Sequence, residues 1–355
     1  MEWGIAMTRL RSTTLIVAMF CIGCIAHAQE NSQGALLVVT KQSHALAIVD
    51  AATLTVVARV PIGEDPHEVI VGPDGVTAYV SNYGEMSLHT LAVVDLVHKK
   101  ALPAIDISPL RGAHGLARGD GASEGKIWFT AGGSKALGVL DPATGKLESV
   151  LGVGQENTHL VWVSQDGAKV VASNAGSGTM SVFDRITHTP VMVTGAPPAP
   201  ASYTTLDWKQ TLVADGMGTE GFAVSPDEKE IWAGAADGSI TIINLDTEKV
   251  DATLMPVVAG ANRLAFTPDG KLVLETAHTG KDLVVFDAKT RAVVKRIPIE
   301  ERGASGIQVQ PDGRRAFVSC PRDHYVAVVD LQRLEMVAKI DAGREPDGLA
   351  WWTKP

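Results

Sequence analysis

The chain repeats itself. An Asp or Asn closes a β-rich run seven times, at Asp50, Asp95, Asp141, Asp184, Asn244, Asp287 and Asp330, so the intervals are 45, 46, 43, 60, 43 and 43 residues. Five of these carry Thr three places on, at Thr53, Thr144, Thr187, Thr247 and Thr290, as a polar turn requires. A second marker recurs with the first: Pro73-Asp74-Gly75, Gly119-Asp120-Gly121, Gln165-Asp166-Gly167, Pro226-Asp227-Glu228, Pro268-Asp269-Gly270 and Pro311-Asp312-Gly313. In these turns Pro fixes φ, Asp bonds to local backbone and Gly accepts positive φ. Between the markers lie short β-branched runs, for example Glu68 to Val71, Thr77 to Asn82, Leu91 to Asp95 and Leu102 to Ile107. A period of about 40–45 residues built from four such runs is that of a propeller blade. The expected fold is all-β: a seven-bladed β-propeller with four antiparallel strands per blade.

The two ends complete one blade. Ala35 to Val39 matches a second strand with no first strand before it, and Pro346 to Trp352 matches a first strand with nothing after it. Joining them closes the ring and leaves no open sheet edge between the first and last blades. The expected units are 345–352 with 34–62, then 63–112, 113–156, 157–216, 217–260, 261–303 and 304–344. The 60-residue interval holds one insertion, 188–207, containing Pro197, Pro198, Ala199 and Pro200. A Gly lies four residues before each of three innermost strands: Gly63 before His67, Gly216 before Glu220 and Gly343 before Asp347. That register places the insertion between the third and fourth strands of blade four, away from the channel mouth.

Residues 1–28 read as a signal peptide: Arg9 and Arg11 form a basic start, Leu15 to Ile25 an apolar stretch, and Ala26-His27-Ala28 a small-x-small cleavage site. Cys24 weakly resembles a lipoprotein acceptor, with Cys21 a poor residue three places upstream. The expected location is periplasmic or secreted. The apolar stretch is short of the ~20 residues of a membrane span, so no stable membrane insertion is expected. Cleavage removes Cys21 and Cys24 and leaves Cys320 with no partner for an intramolecular disulfide. It also leaves 29 basic against 39 acidic residues, a balance that opposes phosphate-driven nucleic-acid binding.

In such a ring the innermost strands line the channel, and the residue at the head of each faces the top. Here these are Asp347, His67, His114, His159, Glu220, Asn262 and Ser305, all polar. His67, His114, His159 and Glu220 come from consecutive blades, a plausible set for a divalent transition ion such as zinc. Glu220 is alternatively a general base on bound water. Asp347, Asn262, Arg263 and Ser305 are candidate ligand contacts. Arg263, and His324 in the Arg322-Asp323-His324 loop, are candidate anion holders. Six of the ten histidines (His44, His67, His114, His159, His278 and His324) map to this face. A structural reading accounts for the same ring: polar side chains there tie loops to neighbouring backbone, since an unpaired buried polar group costs ~1–3 kcal/mol.

Ala78, Tyr79, Val80, Ser81 and Asn82, with Arg315 to Ser319 and Val326 to Asp330, resemble the repeat of exported bacterial propellers of the YVTN-repeat family. The resemblance covers nearly all of residues 34–352. It implies a monomeric ring that presents its top face to a small ligand, a metal ion or a protein partner. Similar propellers include lactonases, streptogramin-type lyases and periplasmic proteins that hold haem-like cofactors, so the resemblance leaves a hydrolase, a lyase or a cofactor-binding enzyme as the alternative to a binding protein.

Overall fold

The computed structural model describes residues 1–2, 34–119, 121–188, 205–256, 258–299 and 302–355. Residues 3–28 of the segment read as a signal peptide, Asp120 and the Pro197 to Pro200 stretch lie outside the described residues.

Seven antiparallel sheets of four strands each make up the fold. In six of them the strands follow chain order outward. Blade one instead opens with the carboxy-terminal strand Pro346–Thr353, which pairs with Gly34–Thr40 and is followed by Ala45–Asp50 and Thr55–Pro61. The innermost strands of blades two to seven are Pro66–Val71, Ala113–Arg118, Thr158–Val163, Gly221–Val224, Ala261–Phe266 and Ile307–Val309. Each packs against the innermost strand on either side, and Pro346–Thr353 against those of blades two and seven, so the ring is closed. This is a seven-bladed β-propeller.

The repeating Asp is explained by the turn it makes. Asp50 Oδ1 accepts the backbone N–H groups of Ala52 and Thr53 and the Thr53 hydroxyl, and Asp287 Oδ1 accepts the N–H and hydroxyl of Thr290. The Thr three places on is therefore part of the same turn. Asp184 is the exception: its strand runs on as Thr179–His188 and pairs with Thr205–Ala214, so the turn is absent and the carboxylate bonds Lys169 instead. This long hairpin leads into and out of residues 189–204.

The core consists of apolar layers between adjacent blades, such as Leu46, Ile48, Val69, Val80 and Val94 between blades one and two. Each blade is apolar on both faces, which is why the second and third strands read as nearly continuous buried runs. Among the described residues no helix is long and apolar enough to cross a membrane.

Candidate functional site

A glycine with positive φ precedes every innermost strand: Gly63, Gly112, Gly154, Gly216, Gly260, Gly303 and Gly343. Gly303 shows why. Its φ is 112°, and a Cβ there would lie 1.9 Å from the His278 carbonyl oxygen. After the glycine the chain bends into the channel, and in five blades the pairing of the first two strands slips at the ring residue, between Pro346 and Leu349, Pro66 and Val69, Ala113 and Leu116, Thr158 and Val161, and Ala261 and Arg263. Bulges of this kind re-aim a side chain.

The backbone at the bulge is satisfied by a different residue, a Ser or Thr on the second strand. Thr130 Oγ1 accepts the Gly115 N–H and donates to the His159 carbonyl of the next blade. Ser173 does the same between Leu160 and the Glu220 carbonyl, and Thr276 between Arg263 and the Ser305 carbonyl. Ser319 donates to the Asp347 carbonyl, and Ser81 accepts from the Glu68 N–H. Apart from Ser81, whose bond lies within blade two, these Ser and Thr residues tie blade to blade, so the ring side chains are largely released from that duty.

All seven ring residues line one cavity of about 400 Å³ at the channel mouth. On one side His67 Nε2 lies 3.1 Å from Asp65 Oδ1 and its Nδ1 3.4 Å from Asp347 Oδ2, while Ser305 donates to Asp347 Oδ1 at 2.5 Å. Lys41 approaches the same cluster, 3.5 Å from His67 Nδ1 and 3.8 Å from Asp347. On the other side Glu220 Oε2 meets His278 Nε2 at 2.9 Å, and Asn262 Nδ2 reaches His278 Nδ1 at 3.0 Å and the Ala304 carbonyl. Between them stands an imidazole stack. The ring centroids of His67 and His114 are 4.6 Å apart and those of His114 and His159 3.8 Å, with Tyr83 edge-on to His67 and His114.

Burial sets the protonation of the stack. It lowers the pKa of His159 to about 3, assisted by the charge of Arg263, and pushes that of His114 well below its usual value, with His159 and His67 adding to the effect. His159 Nδ1 faces the Glu220 carbonyl at 3.0 Å and must donate to it, so Nε2 carries the lone pair. His114 Nδ1 is buried with no hydrogen-bond partner. For Glu220 burial acts upward, but the His278 hydrogen bond and the charge of Arg263 are among the effects that outweigh it and bring the pKa down to about 2.

The four residues expected to share a metal come together at the mouth but not as a ligand set. Both nitrogens of His67 face carboxylates, the His114 and His159 rings pack against each other at a 34° tilt, and Glu220 is engaged by His278. Among the described residues no group of three or more His, Cys, Asp or Glu side chains is placed to hold a metal ion. His324 does not line the cavity; its Nδ1 accepts the Glu345 N–H at 3.2 Å across the junction of blades seven and one.

Arg263 is a channel-wall residue, buried to 8 % exposure, and its charge is committed. Nη1 donates to the side chain and carbonyl oxygens of Asn262, and Nη2 reaches Glu68 Oε1 in blade two at 2.6 Å. The strand register explains how. One place below the ring residues stands a second tier: Gly348, Glu68, Gly115, Leu160, Gly221, Arg263 and Gly306. Its four glycines let each innermost strand approach the backbone of the next, and the Arg263 side chain reaches across the tier to Glu68. Sequence reasoning missed Glu68, along with Lys41, Tyr83 and the pairing role of His278. Stepping one residue beyond each ring position exposes the glycine-rich tier and its two charged members.

No protein-family model and no curated protein matches the sequence. Solved structures do. A functionally unknown protein from Desulfotomaculum acetoxidans DSM 771 superimposes with a TM-score of 0.70 at 13 % identity, over 89 % of this chain and 98 % of that one. Kuenenia stuttgartiensis hydrazine synthase matches with a TM-score of 0.62 at 16 % identity, over 80 % of this chain and 88 % of that chain. What they share with it is the fold. At these identities site residues do not transfer.

Proposed function

We propose that this propeller is an exported binding protein of the YVTN-repeat type that takes a small polar ligand into the pocket at its top face. The observation that carries the reading is His114: a buried, neutral imidazole in the pocket wall, with an unpartnered nitrogen, between two further imidazoles. Buried polar groups are normally paired, and here Ser and Thr side chains already hold the backbone. The pocket lining alternates acceptors (Glu220, Asp347) with donors (Lys41, Arg263, Asn262), which suits a ligand bearing several hydroxyl, carbonyl or carboxylate groups. Export rests on the basic, apolar and small-x-small pattern of residues 1–28, and amino-terminal sequencing of the secreted chain is expected to start near Gln29.

A thermal-shift screen with sugar acids, lactones and amino acids tests the binding reading. Compounds that stabilise the protein are expected, with the shift abolished in His114→Ala and His159→Ala. A screen without hits, or hits indifferent to both substitutions, overturns it.

A second reading, a transition-metal site on His67, His114, His159 and Glu220, is favoured by the neutral state of His114 and His159, the form in which imidazole ligates metal. It requires His67 to leave Asp65 and Glu220 to leave His278. Elemental analysis of the purified protein, followed by zinc and copper titration, separates it from the first. Glu220 as a general base gains no support from its pairing with His278, which lowers its basicity.

A further inference from the structure

Most of the charge at the channel mouth is cancelled within the protein. Among the described residues six Lys, Arg, Asp or Glu side chains line the cavity, and four are matched: Lys41 with Asp347 at 3.8 Å, Glu220 with His278, and Arg263 with Glu68. The other two are Arg322 and Glu345, and they are of opposite sign. Arg322 stands between the blade-seven strands Arg315–Cys320 and Tyr325–Asp330, and its guanidinium donates only to the Arg302 carbonyl, from Nη1 at 3.3 Å. Glu345 directly precedes the innermost strand of blade one. Its N–H bonds His324 and its carbonyl accepts the Lys41 N–H, so its backbone is held while its carboxylate makes no hydrogen bond or ion pair among the described residues.

A charge in an exposed loop is ordinarily left to water. These two differ in lining the wall of one cavity, on adjoining blades, where every other charge has its counter-charge. A guanidinium takes a carboxylate through parallel N–H donors, and a carboxylate takes an ammonium. A small molecule that carries both groups meets both residues, and the main-chain end of a free amino acid does so.

The far wall selects the rest of the molecule. Blades three and four stand across the closed ring from blade seven, and they present His114 and His159. His159 donates from Nδ1 to the Glu220 carbonyl, which leaves the Nε2 lone pair without a partner among the described residues, and His114 Nδ1 is buried with none. An acceptor nitrogen takes an N–H or O–H and refuses a carboxylate. The charge of Arg263, which acts on both rings, opposes a cation there. A neutral donor, hydroxyl or amide, fits. The cavity of about 400 Å³ is within the range of small-molecule sites.

We infer that the top pocket binds a free α-amino acid with a hydroxyl or amide side chain, its carboxylate on Arg322, its ammonium on Glu345 and its side-chain donor on His159 Nε2. The inference rests on the top face being a ligand pocket and commits that pocket to one class.

Isothermal titration of the full propeller with L-serine, L-asparagine and L-glutamine is expected to give saturable one-to-one binding for at least one of them. For the tightest, the α-amide, which lacks the carboxylate, and the N-acetyl derivative, which lacks the ammonium, are expected to bind about tenfold more weakly or worse, as for a lost charge-assisted hydrogen bond. L-leucine, which keeps both ends but has no side-chain donor, is expected to bind roughly fivefold more weakly. These analogues test the contacts without altering the protein. Arg322→Gln and Glu345→Gln are each expected to weaken the amino acid about tenfold, while Glu345→Gln leaves the affinity of the N-acetyl derivative unchanged, because the group it would meet is already gone. No saturable binding of any of the three, an α-amide or N-acetyl derivative as tight as the amino acid, or a further loss of the N-acetyl derivative in Glu345→Gln overturns the inference. If sugar acids or lactones bind through His114 and His159 while amino acids do not, the inference falls and the pocket reading stands; if none of these compounds binds, both fall.

Discussion

The guanidinium of Arg263 in blade six and the carboxylate of Glu68 in blade two meet at 2.6 Å, although their blades are not neighbours in the ring. The bridge therefore braces the channel from within, between a cavity at its mouth and one below. Burial pushes the Glu68 pKa up, and the Arg263 charge opposes that push; burial likewise acts against the charged form of Arg263, which Glu68 and Asp347 counter. Each charge depends on the other.

Breaking such a pair on one side leaves an uncompensated buried charge. Arg263→Ala is expected to cost about 3–5 kcal/mol, whereas the double change Arg263→Met with Glu68→Leu is expected to be near neutral. Urea unfolding of the three proteins measures this. A single substitution that costs under about 1 kcal/mol contradicts the bracing role.

The blade-to-blade ties make a separate prediction. Thr130→Val removes the acceptor of the Gly115 N–H and the donor to the His159 carbonyl while nearly preserving shape. The expected loss is about 1–3 kcal/mol, the cost of stranding buried polar groups. Ser173→Ala, which cuts the equivalent tie to Glu220, is expected to behave alike. Thermal melts that coincide with the parent for both would return the tying role to the ring side chains.

Much of this was legible before any coordinates. The interval between Asp50 and its six counterparts specified the blade, and Pro346 to Trp352 specified the closure, because strand and turn chemistry are local. The seven ring positions were legible for the same reason: each lies two to five residues after a glycine and heads a short strand. What the side chains do there was not. Whether His67 points a nitrogen at a metal or at Asp65 depends on partners supplied by other blades, and the pairing of Glu220 with His278 joins residues from different repeats. The Arg263–Glu68 contact spans most of the ring, and no local pattern encodes it. Nor did the repeat reveal that Ser81, Thr130, Ser173, Thr276 and Ser319 carry the backbone ties, since a hydroxyl in a buried strand reads as ordinary β-sheet composition.

The second-tier glycines are there for steric room. A Cβ on Gly221 would fall 2.0 Å from the Asn262 carbonyl oxygen, with backbone rather than a movable side chain in the way. Gly221→Ala is expected to destabilise the ring by roughly 2 kcal/mol or more, as overpacking against backbone does. Gly75 offers the contrast: its φ is +71° and no atom lies within 4 Å of its Cβ position, so Gly75→Ala carries only the strain of a left-handed residue, about 1 kcal/mol. Equal losses from the two substitutions contradict the close approach.

Glu275 poses the clearest test by pH. It occupies the second strand of blade six, at the position that Val80 fills in blade two, with 0 % exposure and both carboxylate oxygens unpartnered. Burial raises its pKa to about 8, only partly offset by the charge of Arg296. In the unfolded chain the group titrates near 4.5, so between these values the folded state holds a proton that the unfolded state has released. Stability is then full below pH 4.5 and declines as pH rises toward 8, by about 1.4 kcal/mol per unit at the steepest and on the order of 4 kcal/mol in all. Asp215, also buried and raised to about 7, adds a slope of the same sign. Glu275→Gln removes the titrating group and Glu275→Val restores the side chain used at the equivalent position. Both are expected to flatten most of the decline and to stabilise the protein at pH 8. Chemical denaturation at pH 5, 6.5 and 8 reads the result, and a parent whose stability rises across that range, or a Glu275→Val protein with the same slope as the parent, contradicts a protonated Glu275 in the folded ring.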